Sequence, residues 1–161
     1  MNIVFRVDSS TEMGVGHLMR CLTLAGEFQN KNHKVTFICR ELAGNFISLI
    51  EHPVLTLPRD NDFQSDDFYL NLLGATQKQD AEQTINFIPE GVDVLVVDSY
   101  ALDEKWHKQL RLHIKKIAVI DDLADKKTDC DILLNQNFGA QEEYYRHKVL
   151  SDCKLLLGCE Y

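Results

Sequence analysis

Short apolar runs alternate along the chain with segments of helical period. Residues 2–8 carry Ile3, Val4, Phe5 and Val7 and predict a strand, which leads into a polar, glycine-containing turn over residues 9–16. Leu18, Cys21, Leu22 and Ala25 then recur at i, i+3, i+4 and i+7, the spacing that places them on one buried helix face. Residues 34–39 predict a second strand, residues 45–50 a short helix, and residues 53–57 a third strand closed off by Pro58. The acidic, Asn/Asp-rich stretch over residues 60–67 predicts a loop excursion.

Residues 79–88 have helical character and stop at Pro89-Glu90-Gly91. Residues 92–97, rich in valine, form the clearest buried strand and end at Asp98-Ser99-Tyr100. Asp103 is placed to cap a helix running to Ile114, because its carboxylate can accept unpaired backbone N–H groups. Residues 117–120, 131–134 and 154–157 predict the last three strands. Strand–helix–strand alternation at this spacing gives an α/β fold, a doubly wound, mostly parallel, Rossmann-like sheet covered on both faces.

The chain has 161 residues, which fits one domain, and its 17 basic against 25 acidic side chains give a net charge of −8. With no Lys/Arg run to offset that charge, a nucleic-acid partner is disfavoured. No apolar stretch reaches the ~18 residues of a membrane span, and the N-terminus lacks the basic start of a signal peptide. The five cysteines include no C-x-x-C pair, and most sit in apolar stretches. Together these features predict a reduced, cytoplasmic protein with neither a disulfide framework nor a zinc site.

In a doubly wound sheet, ligands sit outside the carboxyl ends of the strands. Three segments with functional side chains fall there: residues 8–17, residues 98–100, and Asp121-Asp122 with Asp125. Gly14-Val15-Gly16-His17 joins a strand to a helix, where glycines admit close approach of a ligand. His17 falls in the first helical turn, where the dipole favours the uncharged ring that a general base requires. A helix-capping histidine fits the same spacing. The pattern lacks the third glycine of a dinucleotide fingerprint and the G-K-[ST] of a P-loop.

Asp98 and Tyr100 read either as site residues or as a turn acid and a rim aromatic. Asp121 and Asp122 read as solvated turn acids, since adjacent carboxylates at a strand end point to opposite sides and make a poor cation cage. The remaining histidines show no H-x-x-x-H spacing, and no metal or cofactor is expected.

Read together, Arg6-x-Asp8-x-Ser10-x-x-Met13-Gly14-x-Gly16-His17-x-x-Arg20-Cys21-Leu22-x-Leu24-Ala25 resembles the opening of the UDP-sugar hydrolases of pseudaminic acid biosynthesis. Collinear matches follow at Phe37-Ile38-Cys39-Arg40, Asp80-Ala81-x-x-Thr84, residues 97–103, residues 119–125, residues 130–137 and Leu156-Leu157-Gly158.

The resemblance implies the first half of a GT-B architecture, in which two Rossmann-like domains clasp a nucleotide sugar. It implies that His17 is the base for a hydrolytic water attacking the anomeric carbon, with inversion and loss of UDP, and that no metal is needed. Arg6, Asp8, Gly14, Gly16, Asp98 and Tyr100 become expected substrate-binding residues. Family members continue past the Leu-Leu-Gly segment, so residues 1–161 are expected to be the sugar-side, catalytic domain without its nucleotide-binding C-terminal partner. On that expectation the chain alone hydrolyses UDP-sugars weakly or not at all. Ser99 stands where relatives often have histidine. The same architecture and loop also serve glycosyltransferases, and a non-catalytic sugar-nucleotide binding module remains a further alternative.

Overall fold

Alternation along the first strand decides how the layers form. In β1 (Asn2–Val7), Ile3, Phe5 and Val7 face one side of the sheet while Val4 and Arg6 face the other, and all five are buried. On the first side they meet Leu18, Cys21 and Ala25 of helix α1 (Gly16–Asn30), the predicted apolar stripe. Phe5 stacks on Phe37 there, with ring centroids 5.0 Å apart. The computed structural model describes residues 1–161.

The sheet continues with β2 (Lys34–Arg40), β3 (Val54–Leu57), β4 (Val94–Asp98), β5 (Lys116–Ile120), β6 (Ile132–Asn135) and β7 (Lys154–Leu157). All pairings are parallel, and the spatial order is β3-β2-β1-β4-β5-β6-β7. The protein is therefore an α/β, Rossmann-like domain, and each of its strands falls where the apolar runs predict one. On the second side, Ala81 of α3 (Gln77–Phe87) and Trp106 and Leu110 of α4 (Glu104–Leu110) complete the larger core. Asp103 caps α4 through Lys105 N–H, as its position predicts.

Three local expectations are corrected. The segment over residues 45–50 forms only a 3-10 turn, Ile47–Leu49. Helix α4 stops at Leu110 rather than Ile114, and the chain reaches Ile114 through a turn. The loop excursion ends in a helix the sequence reading missed, α2 (Phe68–Leu73), capped by the Asp67 carboxylate and closed by Gly74 in the left-handed region. A further short helix, α5 (Glu142–Tyr145), precedes β7.

Beneath the carboxyl edge lies a closed charge cluster on the α3 side. Asp80 accepts from Arg6 at 2.5 Å and from Arg40 at 2.7 Å, and Asp8 accepts from Arg6 at 2.7 Å. Trp106 Nε1 donates to Asp80 at 2.9 Å, and the Arg40 backbone N–H donates to Asp8 at 2.6 Å. Burial alone would raise the Asp80 carboxyl; the two guanidinium groups outweigh it and hold it below the usual carboxylate range. Two positive and two negative groups thus share one dry pocket and tie β1, β2, α3 and α4 together.

Candidate functional site

The strand order fixes where a site can form. β1 and β4 are neighbours, but their chains leave in opposite lateral directions, β1 toward β2 and β4 toward β5. The crevice between such diverging connections is where ligands bind in open α/β sheets. Val7 and Asp98, the last residues of the two strands, are register partners at that crevice. The loop after β1 and the turn after β4 therefore bring His17, Asp98 and Tyr100 together.

The loop turns back on itself through an antiparallel bridge between Ser10 and Gly14, where Gly14 N–H donates to Ser10 C=O at 2.8 Å. Gly14 has φ of +80°, a conformation glycine adopts without penalty. Gly16 opens α1 with nothing within 4 Å of the place a Cβ would occupy, so the backbone is open to approach there. No side chain caps the helix start, and His17 makes no capping bond.

His17 is instead held by its Nδ1, which lies 2.6 Å from Asp98 Oδ1. The Asp98 carboxylate is fully buried and also accepts from Arg20, Nε at 2.5 Å to Oδ2 and Nη2 at 2.6 Å to Oδ1. An ionised carboxylate only accepts, so the Nδ1 facing it carries the proton and donates. Nη2 of Arg20 also passes 3.0 Å from Nδ1, but its shorter, charge-assisted bond is the one to Asp98. In the uncharged form of the ring the lone pair is then on Nε2. All of the ring's hydrogen bonds fall on Nδ1, and the side chain retains 13 % exposure, which leaves Nε2 unpaired at the rim.

Tyr100 packs edge-on against His17, with centroids 4.6 Å apart, and its hydroxyl donates to Asp122 Oδ1 at 2.6 Å. Burial and that hydrogen bond both push the phenol pKa up, so Tyr100 stays protonated at neutral pH. Asp122 Oδ2 accepts from Arg20 Nη1 at 3.1 Å. Burial opposes the charge on Asp122, yet the bonds from Tyr100 and Arg20 outweigh it and keep the carboxyl below its usual range. Asp122 is therefore no solvated turn acid, which corrects the sequence reading. Asp121 is a turn acid, accepting from the Leu123 and Ala124 N–H groups of its own turn, but it is not freely solvated: burial raises its carboxyl above the usual range.

Met13, Tyr69, Leu72 and Ser99 complete a small pocket against His17 and Tyr100. Ser99 also accepts the Ala101 N–H within its own turn. Asp122 further borders a groove of about 540 Å³ at the ends of β5 and β6, walled by Asn137, Phe138 and Tyr144.

Arg6 and Asp8 do not reach this rim. Arg6 has no exposed surface and Asp8 retains 2 %, with both engaged in the charge cluster below. The structure places them as supports of the loop rather than as groups facing the pocket. Arg20 and Asp122 are the residues that sequence reasoning missed as site members. For Arg20 a signal existed, since it lies one turn after His17 on the same helix face. No group of three or more His, Cys, Asp or Glu side chains is arranged to hold a metal ion. No helix is long and apolar enough to cross a membrane.

No family model matches the chain. It is 30% identical over 164 residues to the UDP-2,4-diacetamido-2,4,6-trideoxy-beta-L-altropyranose hydrolase of Campylobacter jejuni, a match covering 100% of this chain and 51% of that protein. The resemblance to that hydrolase runs the length of the chain. A second relative, an uncharacterized protein of Methanocaldococcus jannaschii, is 24% identical over 143 residues, 88% of this chain and 26% of that protein. The chain thus spans about half of the first relative and about a quarter of the second.

Proposed function

We propose that residues 1–161 form the sugar-side, base-bearing domain of a UDP-sugar hydrolase. The observation that carries this reading is the pairing of His17 Nδ1 with buried Asp98, which leaves an unpaired Nε2 at the β1/β4 crevice. In this reading Nε2 accepts a proton from a water as the water oxygen bonds to the anomeric carbon. The C1–O bond to the diphosphate breaks, and UDP leaves with the bonding pair. UDP is a good leaving group, so the demands on the protein are a positioned water, a base and an ordered sugar. The sugar is proposed to be the diacetamido-trideoxy-altrose of the Campylobacter relative's name, placed between the His17 pocket and the groove beside Asp122. The nucleotide would be held chiefly by a second domain, corresponding to the half of that relative outside the match.

The test is UDP release from that sugar nucleotide by the chain fused to the second half of the Campylobacter relative. Conversion in ¹⁸O-water should place the label on the free sugar rather than on UDP. His17→Asn should cut turnover by about 10²–10⁴-fold, the usual contribution of a general base. Undiminished turnover by that variant, or label in UDP, would remove His17 from the chemistry.

A further inference from the structure

The geometry points to Arg20 as the positioning residue that makes the His17–Asp98 pair work. The inference deepens the proposed function, because it concerns how the same base is oriented. Three observations carry it. First, the Asp98 carboxylate has no exposed surface, and Arg20 is the only lysine or arginine that hydrogen-bonds it. Arg20 is therefore the ionic partner of the carboxylate that accepts from Nδ1, through charge-assisted hydrogen bonds. Second, the contact is a two-pronged fork, Nε to one oxygen and Nη2 to the other, which fixes the carboxylate plane as well as its charge. Oδ1 is thereby aimed at the ring.

Third, the fork is itself anchored at its far end. Nη1 reaches Asp122 on the β5 side, and Asp122 is in turn held by the Tyr100 hydroxyl. Tyr100 closes the circuit by packing its ring against His17. Five side chains from α1, the β4 end and the β5 end thus form one ring of contacts, with Arg20 as the member that touches both carboxylates. Arg20 lines up the acceptor that fixes the tautomer of His17, and it acts through its neighbours as a positioning residue. A lysine could supply the charge but not the fork.

The readout is the His17 tautomer, observed by ¹⁵N NMR of histidine-labelled 161-residue chain above pH 8, with circular dichroism recorded to confirm folding. Wild type should show mainly the Nδ1–H form. Arg20→Met should lower the ratio of Nδ1–H to Nε2–H by about tenfold or more, the loss expected for a charge-assisted hydrogen bond. Arg20→Lys, which keeps the charge and is the milder change for folding, should fall between the two. Folded Arg20→Met or Arg20→Lys protein with the wild-type tautomer ratio would overturn the inference. Because the measurement needs no substrate, it stands or falls separately from the hydrolase reading, which the ¹⁸O experiment decides.

Discussion

The Nδ1 of His17 and the Oδ1 of Asp98 stand 2.6 Å apart, with the carboxylate wholly out of solvent. Replacing Asp98 by Asn keeps the shape but lets an amide N–H face the ring, and it leaves the Arg20 guanidinium without its anion. Asp98→Asn should therefore lower kcat for UDP-sugar hydrolysis by about 10²–10⁴-fold with a smaller change in KM. Steady-state kinetics on the fused protein checks this. A variant that loses only apparent affinity would show that Asp98 serves substrate binding and not the base.

Below the rim, Asp80 bridges Arg6 and Arg40 where none of the three meets water. Removing one partner of a buried pair leaves an uncompensated charge, so Asp80→Asn should destabilise the domain by about 3–5 kcal/mol. Urea unfolding followed by tryptophan fluorescence reports it well, because Trp106 also donates to Asp80. A midpoint within error of wild type would mean that the cluster contributes little.

His107 on α4 is fully buried, with neither ring nitrogen hydrogen-bonded, and burial pushes its pKa down to about 4. The unfolded chain binds this proton near pH 6.5 and the folded chain only near 4. The shift therefore makes stability independent of this group's titration above about pH 6.5, and stability falls progressively as pH drops from there toward 4. The full difference corresponds to about 3 kcal/mol. His107→Leu should flatten that segment of the stability profile, measured by denaturant titration at several pH values. Parallel profiles for wild type and variant would exclude His107 as the source.

Gly14, at φ of +80°, sits where an L side chain is strained although the space around it is open. Gly14→Ala should lower stability by about 1 kcal/mol through backbone strain rather than through a clash. Thermal unfolding measures the cost. A larger loss would mean that the loop before α1 is held more tightly than its contacts show.

The seven strands and the buried stripe of α1 were legible because their signals are local: β-branched runs, and apolar spacing on one helix face. The capping role of Asp103 was legible for the same reason. Helix α2 escaped because its six residues follow an Asp/Asn-rich run whose loop signal swamps a short helix, although Asp67 and Gly74 mark both of its ends. Asp122 escaped for a different reason. Its partner Arg20 lies 102 residues away, and only the order of strands brings the two together. Arg6 and Asp8 look like site residues in one dimension because they precede the glycine loop. Strand alternation turns both toward α3, where Arg6 meets Asp80 and Asp8 accepts from Arg6 and the Arg40 backbone N–H.

The adjacency of β1 and β4 has a consequence for how the molecule matures. The carboxylate that faces the imidazole comes from the second half of the chain, across a gap of 81 residues. A nascent or partly folded chain holds a histidine with no carboxylate beside it, so the pair assembles only when the middle of the sheet has closed.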